Sequence, residues 1–440
     1  MNITHLKTIR FHRPAMMGGF LLLLTAGSAP ARSALEKWSE GRYASGHWGG
    51  ARTTLEEKGI AFGASWRGTF YGVADGGLHR GTTFDEELQF SLTVDFEKWA
   101  GIPGLSGYAS VRWRDGVNPN GDVGASAAFG PSSYQLGKQW RLMPFYLTWQ
   151  SGDLLPVENM ITLSGGWQNP YHFFAQQPDS KLFLNNAITQ TKGIGANGIP
   201  FNGAYEAWGG YLKVKPVGWH YVQAGLYAAV PNASDTGNHG LYLDLKQPPY
   251  RNGLYAMAET GVTPKIAGLP GKYAFGGYYW GLENTSFSGD IHDQKCGFYW
   301  QVDQMLFREP AGAGAAPAES TGKQGLYWIG FLNYAPRYNN ALPFYFHTGL
   351  IYKGLFPGRD KDQLGAAFAL GEYSDDQILA RRAAGQTIQQ TTESVLELDY
   401  RVQLTEFAYM QPFLQYIIRP NGTGVVRNAT VLGLHMGVNF

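Results

Sequence analysis

From Leu88 to Phe96 every second side chain is apolar: Leu88, Phe90, Leu92, Val94 and Phe96. Glu87, Gln89, Ser91, Thr93, Asp95 and Glu97 flank and separate them. Successive side chains of a strand point to opposite faces, so this stretch predicts a strand with one apolar and one polar surface. The pattern recurs. Leu396, Leu398, Tyr400, Val402 and Leu404 oppose Glu397, Asp399, Arg401, Gln403 and Thr405. Ile60, Phe62, Ala64 and Trp66 oppose Gly63, Ser65, Arg67 and Thr69, and Ala109, Val111 and Trp113 oppose Ser110, Arg112 and Arg114. The last such stretch sets Thr430, Leu432, Leu434, Met436, Val438 and Phe440 against Val431, Gly433, His435, Gly437 and Asn439. These segments approach the roughly ten residues a tilted strand needs to cross a bilayer.

Alternation alone does not say whether the apolar face meets a protein core or lipid. Composition bears on that choice. Charged residues make up 16% of the chain, below the roughly 25% of ordinary globular domains, while aromatic residues reach 15% and glycines number 59. Mean hydropathy is −0.24. Beyond the first residues no uninterrupted apolar run approaches the ~18 residues of a membrane helix. The expected fold class is therefore all-β, a transmembrane antiparallel β-barrel, with a large secreted β-protein as the competitor. A barrel in lipid must pair its last strand with its first, because open edges are not tolerated there. The alternating segment that ends on aromatic Phe440 suits that closing strand. It also resembles the signal read by the machinery that inserts such barrels.

Residues 1–31 read as a signal peptide. Lys7, Arg10 and Arg13 precede a short apolar run with Leu21 to Leu24, and Ala29-Pro30-Ala31 supplies small residues for cleavage. Removing those three cations from 35 Lys+Arg leaves 32 against 34 Asp+Glu, a net −2. Such a chain has no basic excess with which to bind nucleic acid. Cys296 is the single cysteine, so no internal disulfide is available. Residues 32–59 are expected to form a short periplasmic segment, with a helical stretch near Trp48–Lys58, and 60–440 the barrel. Ser374–Ala384 also reads as helical, with Asp375 and Asp376 at its front and Arg381 and Arg382 at its back. Asp115–Pro131, Pro231–Gly240 and Arg308–Gly325 are rich in turn residues and read as loops.

No phosphate loop, His-Glu-x-x-His or Gly-x-Ser-x-Gly element is present, and the ten histidines lack metal-ligand spacing. Neither an enzyme nor a cofactor is expected. With the apolar face on lipid, the polar face lines a channel containing Arg67, Glu87, Asp95, Glu97, Arg112, Arg114, Glu397, Asp399 and Arg401. Both signs occur there, which suits neutral polar solutes better than ions of one sign. It suits a generic aqueous pore equally well. Trp66, Trp99, Trp113, Trp219 and Trp328 are candidates for the interfacial belts.

Trp48-Gly49-Gly50-Ala51-Arg52-Thr53, with Leu55, Glu56, Gly59 and Ile60, resembles the N-terminal motif of the carbohydrate-selective OprB-type porins. Gly203–Tyr211, with Glu206, and Glu393–Gly422 are similar to further parts of that family. The resemblance spans residues 42–440. The closing segment departs from the family pattern, with Tyr409-Met410-Gln411-Pro412-Phe413-Leu414 in place of the usual turn. The resemblance implies about sixteen antiparallel strands in the outer membrane of a Gram-negative bacterium. It implies passive diffusion of monosaccharides such as glucose, and a monomer more than a trimer. It also implies a charged constriction, for which Arg67, Arg112, Arg114, Glu206, Asp399 and Arg401 are the candidates, with Trp140–Lys181 as an inward loop region. Lipid, lipopolysaccharide and the insertion machinery are the other expected partners. A general diffusion porin without sugar selectivity is the alternative.

Overall fold

The computed structural model describes residues 38–132, 138–189, 192–197, 206–228, 236–241, 253–310, 323–387 and 389–440. The segment 1–31 lies outside them, as do the first half of 231–240, most of 308–325 and the first residues of 203–211. Sixteen long strands follow one another around the molecule. The first eight are β1 (Ile60–Gly77), β2 (Gly81–Asp95), β3 (Leu105–Gly116), β4 (Gln139–Gln150), β5 (Ile161–Gln168), β6 (Ala207–Val217), β7 (His220–Ala228) and β8 (Leu254–Val262). The remainder are β9 (Leu269–Trp280), β10 (Lys295–Arg308), β11 (Gly325–Tyr334), β12 (Phe344–Lys353), β13 (Gln363–Glu372), β14 (Thr392–Gln403), β15 (Ala408–Ile418) and β16 (Arg427–Asn439). Each pairs antiparallel with its sequence neighbours. β16 pairs with β1 from Ser65↔Asn439 to Gly77↔Arg427, with two bulges at the far end. The sheet is therefore closed.

The alternation sets the two surfaces of the wall. Phe62, Phe90, Leu147, Leu396, Leu398 and Leu432 are exposed on the outside, while Thr69, Glu87, Glu397, Asp399 and His435 are buried inside. A continuous outer surface of exposed apolar side chains is unsuited to water and suited to lipid. No helix among the described residues is long and apolar enough to cross a membrane. Trp99 and Trp219 stand exposed at the end of the barrel where β1 begins and β16 ends, as expected of an interfacial belt.

Local chemistry explains three irregularities. The apolar alternation read from Leu88 to Phe96 stops one residue early. Asp95 accepts from the backbone N–H groups of Glu97 and Lys98, both at 3.1 Å, and caps a helical turn, Phe96–Ala100. Asp95 and Glu97 consequently sit at the barrel end and not in the lumen. The β14–β15 ladder skips from Asp399↔Phe413 to Val402↔Met410, next to Pro412, which has no N–H to give. Finally, β5 has only eight residues and leaves the far half of β4 without a partner on that side. The segment around Gly240 fills the gap: Leu142 N donates to His239 O at 2.7 Å and Trp167 Nε1 to Gly240 O at 3.0 Å. Gly240 has φ +84°, and a Cβ there would lie 2.4 Å from Leu142 O, so only glycine fits this patch.

Candidate functional site

Two segments fold into the barrel from the end opposite the start of β1 and the finish of β16. The first follows β3 and contains a helical turn, Asn120–Val123. Ser126 N donates to Glu393 Oε1 at 3.1 Å and Ser132 Oγ to Asp85 Oδ2 at 2.5 Å, so this segment is tied to two walls. The second runs from Asn169 to Asn197. Asn169 Oδ1 accepts from Tyr171 N at 2.9 Å and turns the chain inward after β5. Gln177 Nε2 then donates to Val302 O and Gly330 O at 3.0 and 2.8 Å, and Gln177 Oε1 lies 2.9 Å from His347 Nε2. Leu184 N and Asn185 N donate to Glu397, and Asn185 Nδ2 donates to Phe129 O of the first segment. Phe174, Phe183 and Phe129 are buried in this contact. Together the segments bury most inward side chains of β8 to β15. They leave the wall of β1 to β4 more open, where Arg67, Gln89, Tyr108, Arg112 and Tyr146 keep part of their surface.

That open wall carries a fan of arginines. The β1–β2–β3 register sets Arg67, Glu87 and Arg114 in one cross-strand row. Glu87 is buried, and its carboxylate accepts from Arg114 Nη2 and Nε at 2.7 and 2.8 Å. Arg112 Nε lies 3.2 Å and Arg67 Nη1 3.6 Å from the same carboxylate. Arg112 Nη2 also donates to Gln89 Oε1 at 3.2 Å. Three guanidinium groups thus converge on one carboxylate, and the Arg67 side chain keeps 40% of its surface open. Glu87 and Gln89 hold the fan in place. The sequence could have shown this: consecutive hairpins in register place Glu87 directly opposite both Arg67 and Arg114.

The other candidates take different positions. Glu206 immediately precedes β6, is fully enclosed, and neither carboxylate oxygen has a side-chain hydrogen-bond partner among the described residues. Burial pushes its carboxyl up to about 7, although Arg112, Arg141 and Arg114 oppose the rise. Arg401 donates from Nε to Gln411 Oε1 at 2.8 Å, and its guanidinium carbon lies 4.7 Å from the Tyr409 ring centre. Its Nη2 reaches Lys181 O of the second infolded segment at 3.3 Å. Asp399 is buried beneath that segment, where it accepts from Gln411 Nε2 at 2.6 Å. The structure therefore gathers Arg67, Arg112 and Arg114 into one group with Glu206 beside it. Arg401 stands on another wall, and Asp399 is covered.

Two expectations need correction. Residues 140–168 are mostly β4 and β5, because their alternation is strand-like. The inward segment is Asn169–Asn197, not Trp140–Lys181. The lumen is also less balanced in charge than its sequence suggests. Asp95 and Glu97 cap the barrel end, and Glu397 and Asp399 lie under the infolded segment. Guanidinium groups therefore outnumber carboxylates on the open wall.

Glu206 supplies a pH test. Its folded-state pKa is raised, so the folded protein holds a proton that the unfolded chain would release. Its contribution to stability is full below the ordinary carboxyl value of 4.5 and is lost as pH rises through about 7. Urea unfolding in lipid vesicles between pH 4.5 and 8 should show this decline, and Glu206→Gln should make it shallower. An unchanged profile in the variant would remove Glu206 as a contributor.

A closed barrel with an apolar outer wall, its lumen narrowed by infolded segments and lined by charged side chains, defines a porin-type membrane channel. The chain belongs to the carbohydrate-selective porin, OprB family, whose model matches residues 79–440. It is 28% identical to Porin B of Pseudomonas aeruginosa, an alignment covering 97% of this chain and 98% of that protein. It is 26% identical to the putative porin QuiX of Acinetobacter baylyi, over 92% and 94% of the two chains. Among solved structures, the high-pH form of Pseudomonas putida OprB superposes with a TM-score of 0.81 at 23% identity, covering 91% of this chain and 99% of that one. The protein is a sugar-selective channel of the Gram-negative outer membrane and not an enzyme.

Proposed function

We propose that the channel passes monosaccharides such as glucose by passive diffusion, through a constriction whose charged groups are Arg67, Arg112, Arg114 and Arg401, with Glu206 enclosed beside the first three. The observation that carries this reading is the fan of guanidinium groups on buried Glu87, facing the side of the lumen that the infolded segments leave open. Guanidinium groups present several donors in fixed directions, and sugar hydroxyls can accept from them. Asp399 acts indirectly: it holds Gln411, and Gln411 holds Arg401. The working unit in this reading is a monomer. Its outer wall would meet lipid and lipopolysaccharide, and β16 would be offered to the insertion machinery.

The test is a planar-bilayer recording of the purified protein, with glucose titrated and sucrose and a charged solute as comparisons. A small conductance that falls saturably with glucose, and much less with the others, is the expected result. Conductance that follows only bulk conductivity would replace this reading with a general diffusion porin. Insertion in single steps is expected of a monomer, and steps of three equal levels would show a trimer.

A further inference from the structure

Below the arginine fan, toward the end where β1 begins and β16 finishes, four aromatic rings form a continuous arc on the inner wall. Tyr108 lies four residues before Arg112 on β3, about 13 Å along the strand. Its ring centre is 5.7 Å from that of Tyr146 on β4. Tyr146 is 5.5 Å from Phe173, and Phe173 stacks on Tyr211 of β6 at 4.5 Å with an interplanar angle of 18°. Three of these rings are half-open, and Tyr211 backs them from a buried position. The rings on the opposite side of the lumen, Tyr299, Phe331 and Tyr345, are buried completely.

The arc is joined to the fan. Gln89 accepts from Arg112 Nη2 at 3.2 Å and places its own Nε2 3.5 Å from Tyr108 Oη. Phe173 belongs to the infolded segment and not to the wall. Its carbonyl is held by Gln223 Nε2 at 2.9 Å, which fixes the ring at the height of Tyr146 and Tyr211. The segment that narrows the lumen therefore also supplies the arc's central ring.

We propose that the arc Tyr108–Tyr146–Phe173–Tyr211 is a second sugar-binding subsite. It rests on the monosaccharide reading given above. A pyranose has polar edges and apolar C–H faces. The fan bonds the hydroxyls at its edge, and the arc receives a C–H face as the sugar moves toward the periplasmic end. Half-open aromatic rings beside fixed polar groups are the usual composition of a small-ligand site.

The experiment compares glucose block of the single-channel current in the wild type, in Tyr146→Leu/Phe173→Leu, and in Tyr146→Phe/Phe173→Tyr. The leucine pair is expected to bind glucose about tenfold more weakly, from the loss of two aromatic faces. The ring-keeping pair should stay within about twofold of wild type, a rescue that a purely structural role would not give. Should the leucine pair fail to insert, Phe173→Leu alone provides the same comparison, because Phe173 lies outside the wall. A folded leucine variant that titrates like wild type would overturn the subsite and leave the sugar channel standing. Absence of glucose block in the wild type would overturn both.

Discussion

Glu87→Ala is expected to destabilise the barrel by about 3–5 kcal/mol, the usual cost of removing one partner from a buried ionic group. Glu87 is 2% exposed, and Arg114 and Arg112, which lean on it, are 10% and 17% exposed. Without the carboxylate these two guanidinium groups repel each other in a confined space. Arg67, at 40% exposure, is well solvated and adds little to the loss. The same variant should abolish saturable glucose block, because the arginines no longer share a fixed geometry. Glu87→Gln keeps an acceptor but not the charge, and should fall between. Reversible urea unfolding in lipid vesicles reads the first effect and bilayer recording the second. A destabilisation below about 1 kcal/mol, with glucose block intact, would show that Glu87 does not organise the fan.

Arg52→Ala should be the other large effect. Arg52 is 2% exposed in the short helix Ala51–Glu57. Its Nη2 donates to Phe62 O of β1 at 2.8 Å and to the main-chain oxygen of Phe440 at 3.0 Å. Its guanidinium carbon sits 3.3 Å from the Tyr43 ring centre, and Nη1 donates to Ser45 Oγ at 3.1 Å. One side chain thus fastens the N-terminal segment across the β1–β16 closure. Hydrogen bonds from a charged donor are worth about 1.5–3 kcal/mol each, so alanine should cost about 3 kcal/mol. The readout is the temperature at which the folded form is lost on a gel run without boiling. Glu56→Gln is the control. Glu56 lies 3.7 Å from Arg52 and is 31% exposed, so its change should stay within about 0.5 kcal/mol. Equal effects from both variants would place the loss in the helix and not in the clasp.

This clasp gives the N-terminal motif a physical meaning. Trp48, Gly49, Gly50 and Arg52 were legible as a family resemblance, but the sequence does not show what they touch. Gly49 and Gly50 take positive φ, at 66° and 98°, which lets the chain turn into the helix and brings Arg52 to the seam. The partner at Phe440 is 388 residues away. No local pattern carries that information.

Strand identity was fixed by the sequence alone because period-two alternation is a property of neighbouring residues. Leu396 and Leu398 outside, Glu397 and Asp399 inside, follow directly from it. Tertiary structure decided which inward residues remain open to the lumen. Asn169 turns the chain after β5, and Gln177 and Asn185 find partners on distant walls. The resulting segment covers Glu397 and Asp399 and leaves Arg67 open. Register then set Glu87 between Arg67 and Arg114, making an arginine fan from side chains that look evenly mixed in the chain. Alternation depends on adjacent residues, while accessibility and charge grouping depend on contacts between residues tens to hundreds of positions apart.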